Sequence, residues 1–430
     1  MSYKPFIYKL QSIKSDDIYS DNSVITSTNI SQPLFSLGFH FFIHRTKSAM
    51  SITNKLETKN KFYYVVNPFE HSINDYDKDI AHTSDLFLNK PEILSRAFYK
   101  MWEMLYMFDI ASKDKMIMVG IAEGPGSFIQ SFVEFREKYF NPENDKVYGL
   151  TINTDNSVNI NRTMMDNINK RYDNMINVIK TTKKKIADSN TNGDITKVST
   201  LAFMKTHIKQ KADLVTADGG FEWKNENYQE QEAYVLILGE ILGAINIQAK
   251  DGNFILKVFE TFTHTTIKLI YLLTTFYNDV YIYKPFFSRA TNSEKYIICK
   301  GFKYEPNDTT LNKHIKILEE TLKNCNTDKF FISDIFPKFK LTEEQLNIFK
   351  YININIANVQ QIMINNLVVY IKSNNYFGDM YHTYREQQIT ANKWWIDNFF
   401  TEKLIERETL VKDTIKYNES ELNLFVKKFN

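Results

Sequence analysis

Leu214-Val215-Thr216-Ala217 is an apolar run that climbs to Asp218 and breaks at Gly219-Gly220. It reads as a buried parallel strand with an acid at its carboxyl end. Open α/β sheets bind ligands at that edge; taken alone, the stretch reads better as a strand followed by a turn, and what raises Asp218 is its company. Gly252-Asn253-Phe254-Ile255-Leu256-Lys257-Val258-Phe259 is another buried strand, and it carries a lysine. An ammonium in such a strand must reach water or be paired. Lys100 lies beside the helical stripe of Ala97, Met101, Met104, Leu105 and Phe108, where a lysine ordinarily snorkels off the helix edge. Glu294 shares a loop with Ser288, Arg289 and Asn292. These acids and lysines are residue types that hold and move protons, or form structural ion pairs.

A second kind of chemistry is offered by Met116-Ile117-Met118-Val119-Gly120-Ile121-Ala122-Glu123-Gly124-Pro125-Gly126-Ser127-Phe128. An apolar strand runs into a small-residue loop, and residues 128–139 then read as a helix. Glycines there let a ligand approach the backbone, and the helix start offers N–H groups. The spacing is not the dinucleotide fingerprint, and there is no P-loop lysine. Val147 to Asn153 reads as a strand ending in a polar residue, and Gly193-Asp194-Ile195-Thr196 places an acid after a turn glycine. His40 and His44, spaced i, i+4, have the spacing of a metal pair, but no Cys, Asp or Glu is close in sequence, so packed histidines are the better reading. Lys183-Lys184-Lys185 reads as a solvated run, with phosphate contact as the alternative.

These residues must be positioned by a sizeable fold. The chain has 430 residues, 43% of them hydrophobic, enough for a full core. Lysine plus arginine (53) nearly balances aspartate plus glutamate (51), so a nucleic-acid surface would need local clustering. Only two cysteines occur, which excludes a disulfide framework and fits a reducing compartment. No run is long enough to span a bilayer, and a soluble, cytoplasmic protein is expected. Residues 33–43 and 61–66 look like strands or buried segments. Residues 90–110, 228–248 and 265–277 have helical period, while 154–190 reads as a polar surface excursion. Residues 279–285 and 295–301 read as an antiparallel hairpin. Beyond Phe302 the pattern is helical: Thr342 and Gln345 form a capping box, 343–373 reads as one or two helices, and 389–400 as another carrying Trp394 and Trp395.

Between about residues 90 and 303 the ordered motifs resemble the FtsJ/RrmJ-like family of RNA 2′-O-methyltransferases. Ser95-Arg96-Ala97-Phe98-Tyr99-Lys100 resembles its opening helix, and Glu123 to Phe128 its S-adenosylmethionine loop. Asp218-Gly219-Gly220, the strand with Lys257, and Lys284-Pro285 to Tyr296 resemble its later motifs. Gly149-Leu150-Thr151, Gly193 to Thr196 and Asn292 to Tyr296 are most similar to the cap-specific mRNA branch, and Thr216 to Gly220 with Thr291 to Tyr296 resembles homologues in large cytoplasmic DNA viruses. Two features depart from the family pattern: Gly-Pro-Gly-Ser replaces the Pro-Gly-Gly of many members, and Asn153 stands where many place an acid for the cofactor ribose.

The resemblance implies an α/β fold, a Rossmann-like S-adenosylmethionine-dependent methyltransferase sheet with a helical C-terminal appendage. The expected divisions are an N-terminal extension (1–88), the methyltransferase domain (89–304) and a helical region (305–430). It implies the catalytic tetrad Lys100, Asp218, Lys257 and Glu294. Lys257 would activate the hydroxyl, its pKa lowered by a second lysine and a sulfonium, with the carboxylates as placement groups. The cofactor S-adenosylmethionine would lie over Gly124, Pro125, Gly126, Ser127 and Phe128, near Glu123, with Asp194 and Ile195 at the adenine and Ser95 and Asn153 as further contacts. Arg289 and Asn292 would contact RNA, and Trp223 and Tyr228 are candidates for a cap pocket. Capped mRNA or other RNA is the implied partner, with capping or transcription machinery beyond it, and neither membrane nor metal is required. A ribosomal-RNA 2′-O-methyltransferase and a catalytically silent RNA-binding scaffold are the rival readings.

Overall fold

The computed structural model describes the chain except residues 1–2, 15, 20–21, 31–36, 56–64, 71–86, 88, 184–190, 221–225, 328–329, 375–376 and 430. In order, the N-terminal part gives β1 (Phe6–Leu10), α1 (Asp16–Tyr19), β2 (Val24–Ser27) and α2 (Leu37–Ser48). The central part gives α3 (Ala97–Phe108), β3 (Ile117–Ile121), α4 (Ser127–Tyr139), β4 (Lys146–Leu150), α5 (Arg162–Arg171), β5 (Ile176–Val178), α6 (Val198–His207) and β6 (Ala212–Ala217). It continues with α7 (Gln229–Glu232), α8 (Tyr234–Ile247), β7 (Gln248–Val258), α9 (His264–Phe276), β8 (Tyr277–Lys284) and β9 (Lys295–Phe302). The remainder is α10 (Thr309–Cys325), β10 (Phe331–Ile335), α11 (Glu343–Lys372), α12 (Asp379–Phe399) and α13 (Glu408–Phe429).

One sheet of eight strands, in the order β1-β8-β9-β7-β6-β3-β4-β5, organises the molecule. The run from β7 through β5 is parallel, and β9 is antiparallel to both β7 and β8. Helices cover both faces, so the strands alternate between two apolar layers rather than between core and water. Val215 and Ala217 of β6 with Phe254, Leu256 and Val258 of β7 point into one core, beneath α8 and α9. Leu214 and Ile255 point into the other, beneath α3 and α4. Between β3 and β6 the strand order reverses, and the loops after these two strands open a crevice at that switch point.

The expected α/β sheet is present, and several expectations about its surroundings are corrected. Leu37 to Ile43 is helical, because α2 buries His40, Ile43 and Lys47 at helical spacing while Phe41 stays exposed, so burial of one face outweighs aromatic strand propensity. Val65 and Val66 are buried against Leu367, Tyr370 and Ile371 of α11 without forming a strand; residues 61–64, like Asn74-Asp75, lie outside the described residues. The excursion of 154–190 contains α5, capped by Asn161 accepting from the Met164 N–H, and the edge strand β5. The helix of 90–110 begins only at Ala97, and that of 228–248 is interrupted at Ala233. Residues 343–372 are one helix with the expected capping box, and the helix carrying Trp394 and Trp395 starts earlier, at Asp379.

The terminal regions are built into the cores rather than appended. β1 pairs with β8 at the edge of the main sheet, and β10 pairs with β2. Ile348, Phe349 and Ile352 of α11 enter one core; Trp395, Phe399, Val411 and Ile415 of α12 and α13 enter the other. Glu103 of α3 fixes that second contact. Its carboxylate accepts from Tyr283 Oη (3.0 Å), the N–H groups of Phe286 (2.7 Å) and Phe287 (3.1 Å), and Trp395 Nε1 (3.0 Å).

Candidate active site

β6 and β7 are parallel neighbours with Ala217 opposite Leu256, so Asp218 leaves β6 beside Lys257. Lys257 Nζ lies 3.0 Å from Asp218 Oδ1 and donates to the Asp218 main-chain oxygen at 2.8 Å. β9 sets Tyr296 opposite Lys257, which delivers Glu294, two residues earlier and just before the strand, to the same sheet edge. α3 brings Lys100 over that edge, its Nζ 2.8 Å from Glu294 Oε1. Tyr296 joins the two ion pairs: its hydroxyl donates to Asp218 Oδ1 at 3.0 Å, and its ring lies 5.6 Å from Lys100 Nζ. The structure thus brings Lys100, Asp218, Lys257 and Glu294 together at the carboxyl end of the sheet. A cavity of about 710 Å³ lined by Phe108, Tyr281 and residues of α13 lies at the other end of the sheet and touches none of the four.

The electrostatics differ from expectation at Lys257. Burial pushes its pKa down, but Asp218, Glu294 and Glu240 outweigh burial, and the ammonium stands above the ordinary lysine value. The expected depression is therefore absent in the free protein, since three carboxylates surround one lysine. Glu294 is held below the ordinary carboxylate range: burial alone would raise it, and Lys100, Lys257 and Lys284 reverse that effect. Lys284 is half-buried and pushed down to about 7 by desolvation. Its Nζ donates to the main-chain oxygens of Glu294 (2.7 Å) and Asn292 (3.0 Å) and to Ser288 Oγ (3.1 Å), folding the loop that carries Glu294.

The loop after β3 is shaped by Glu123. Its Oε1 accepts the N–H groups of Phe128 and Ile129, both at 3.0 Å, and so caps α4. Gly120 makes room for it, because a Cβ there would lie 2.6 Å from Glu123 Oε2. Burial raises its pKa to about 8. Gly126 has φ +106°, a left-handed conformation suited to glycine. The Phe128 side chain is core, 6.0 Å from the Tyr296 ring, and its N–H is taken by Glu123. The Pro125 carbonyl accepts from the Asn161 N–H, and Ser127 Oγ shares a 2.8 Å hydrogen bond with Ser95 Oγ. Ile195 buries its side chain beside Gly243 of α8, leaving only its backbone for a ligand.

Asn153 and Asp194 close the crevice. The Asn153 N–H donates to the Asn192 carbonyl (2.7 Å), and its side-chain amide to the Thr181 carbonyl (3.0 Å). Asp194 Oδ1 accepts from the N–H (3.0 Å) and hydroxyl (2.7 Å) of Thr196. Gly193, with φ +82°, lets these loops touch, since a Cβ there would lie 2.3 Å from the Thr151 carbonyl oxygen.

The residues expected at RNA are engaged in the protein itself. Arg289 donates to both oxygens of Glu70, at 2.9 and 2.6 Å, and Asn292 accepts from Lys284. Trp223 lies outside the described residues, and Tyr228 is half-buried at the start of α7. His40 and His44 meet edge to face with ring centroids 3.6 Å apart, and His44 lies 3.6 Å from Glu260, which Lys47 neutralises at 2.7 Å. Among the described residues no group of His, Cys, Asp or Glu is arranged to hold a metal. Sequence reasoning missed Glu70, Glu240 and Tyr296 as parts of the site. Only Tyr296 had a signal, its place in the Ser293-Glu294-x-Tyr296 run; Glu70 and Glu240 reach the site from segments with no motif.

The family model FtsJ-like methyltransferase matches residues 93–302. A cap-specific mRNA (nucleoside-2′-O-)-methyltransferase 1 from Trypanosoma cruzi is 27% identical over 245 residues, 56% of this chain and 60% of that protein. The methyltransferase 2 of Drosophila melanogaster is 25% identical over 268 residues, 60% of this chain and 36% of its own length. The human methyltransferase 1 is 34% identical over 145 residues, 32% of this chain and 17% of its own. The chain thus spans between 17% and 60% of the length of these relatives.

Proposed function

We propose, from the FtsJ-like methyltransferase domain that this chain carries over residues 93–302, that the protein methylates a ribose 2′-hydroxyl of RNA, at the cap-proximal nucleotide of mRNA. The observation that carries this reading is Lys257, an ammonium set in an apolar strand and held from two sides by Asp218, at 3.0 and 2.8 Å, beside the Lys100–Glu294 pair. The cap as the site of transfer rests on the named relatives.

The crevice fits S-adenosylmethionine. Asp194 spends one carboxylate oxygen on Thr196, and the other bonds nothing among the described residues, which suits an acceptor for an exocyclic amine. Gly124, Gly126 and Ser127 would carry the remainder, while Asn153, whose amide is committed to Thr181, offers only its oxygen to a ribose. When bound, S-adenosylmethionine supplies the methyl group and the positive charge of its sulfonium. The protein's own residues orient the acceptor. Asp218 and Tyr296 fix Lys257 Nζ at the mouth of the crevice, where it meets the hydroxyl oxygen. Its neutral amine is the form that accepts the hydroxyl proton, and Lys100, paired with Glu294, holds the oxygen on the line of transfer. Both cysteines are free and buried, which fits the proposed cytoplasmic setting.

The test is labelled methyl transfer from S-adenosylmethionine to matched capped and uncapped transcripts. Transfer dependent on the cap is expected. Equal transfer to uncapped structured RNA would assign the ribosomal-type activity instead, and no transfer to any RNA would leave only a scaffold.

A further inference from the structure

Glu70 lies outside the segment matched by the family and belongs to no motif, yet it is only 2% exposed and holds two arginines from distant parts of the chain. Arg289 grips it with two hydrogen bonds, Nε to Oε2 at 2.9 Å and Nη2 to Oε1 at 2.6 Å. Arg96 Nη1 lies 3.3 Å from Oε2. Arg96 also donates to the Phe287 carbonyl, which ties it to the loop of Arg289. Two guanidinium groups brought this close repel each other, and a buried carboxylate between them offsets that repulsion.

The place of this cluster is informative. Arg96 precedes Lys100 by one helical turn, the Lys100 N–H donating to the Arg96 carbonyl at 3.4 Å. Arg289 and Glu294 share the β8–β9 loop, and Lys100 and Glu294 are themselves paired at 2.8 Å. Arg96 therefore stands about one helical turn, roughly 5.4 Å along the axis of α3, from Lys100. Both arginines stay partly open to solvent, 15% for Arg96 and 24% for Arg289. A ribose whose 2′-hydroxyl reaches Lys257 carries a phosphate on each side, and planar guanidinium forks match phosphate geometry.

We propose that Glu70 is a positioning residue: it holds Arg96 and Arg289 together as a seat for an RNA phosphate next to the acceptor ribose. The inference rests on the RNA-methylating reading above. It assigns the N-terminal segment a part in substrate binding that the methyltransferase domain alone does not contain.

The whole 430-residue chain carrying Glu70→Gln tests it. Binding of a short single-stranded capped RNA is followed by fluorescence anisotropy over a range of salt, together with steady-state methyl transfer. The KM for RNA is expected to rise about tenfold, the equivalent of one charge-assisted hydrogen bond, with kcat changed less than about twofold. The salt slope of RNA binding should fall by about one. In an Arg289→Gln background the same substitution should add less than about twofold, because the two act through one contact. An unchanged or lowered KM in Glu70→Gln would overturn the proposal, the lowered value because Glu70 would then be competing with RNA. Should thermal melting show that Glu70→Gln does not fold, Arg289→Gln carries the test: an RNA affinity within about twofold of wild type would overturn it equally. If the wild type binds RNA but methylates none, the functional reading fails, while anisotropy still reads the phosphate seat.

Discussion

The Tyr296 hydroxyl donates to Oδ1 of Asp218 at 3.0 Å, the same oxygen that faces Lys257 Nζ. Asp218 is therefore fixed by β9 and cannot swing with Lys257. It holds Lys257 in place and raises its pKa, so in the proposed mechanism placement and activation pull in opposite directions.

The first consequence is a pH profile. Lys257 stands above the ordinary lysine pKa, so its neutral form becomes more abundant as pH rises. Transfer under single-turnover conditions should rise with pH through neutrality and keep rising towards the ordinary lysine value of about 10.4. A plateau reached near pH 7 would mean that another group takes the proton.

Asp218→Asn should move that limb to lower pH, because the largest of the carboxylates that raise Lys257 is removed. Placement suffers at the same time. Asp218→Ala should cost on the order of 10²–10⁴ in rate. The fold should be largely spared, since Asp218 is only half-buried at the crevice mouth. Melting temperature and rate measured on the same preparation separate the two effects.

How far the sequence foretold this site follows from what held each residue. Asp218 and Lys257 were legible because an acid at a strand end and a lysine in an apolar strand both break a hydrophobic pattern. Lys100 and Glu294 needed the family motifs, since a lysine beside a helical stripe and an acid in a loop break nothing. The protonation of Lys257 was not legible: Asp218 and Glu294 outweigh its burial only once the fold gathers them, and Glu240 of α8 adds to them. How the terminal regions pack was not legible for a similar reason. Trp395 and Phe399 show helical period, but no local pattern says that Glu103 of α3 will receive Trp395 at 3.0 Å.

That contact predicts the behaviour of the C-terminal helices. Glu103→Gln turns an acceptor of four hydrogen bonds into a group that offers a donor to donors. It should lower stability by about 2–4 kcal/mol, read as a fall in Tm, without moving cofactor affinity. Removal of α11 to α13 should give insoluble protein rather than a minimal active domain, because Ile352, Phe349, Trp395 and Phe399 leave both cores open.

At the cofactor end, Asp194→Ala should weaken S-adenosylmethionine binding by about tenfold or more in calorimetry, the scale of one lost charge-assisted hydrogen bond. Glu123→Gln should instead lower Tm first, since that side chain caps α4 through Phe128 and Ile129. Equal effects of the two substitutions on cofactor affinity would contradict the division of roles drawn between them.

The central claim is that Lys257, placed by Asp218, activates a ribose hydroxyl of capped RNA. It is tested most directly by labelled methyl transfer to capped transcripts with wild type and Lys257→Ala, each first shown to bind S-adenosylmethionine. The account predicts robust cap-dependent transfer by wild type and a loss on the order of 10²-fold or more in Lys257→Ala with cofactor binding retained. Equal transfer by the two proteins, or an inert wild type that still binds the cofactor, would contradict it.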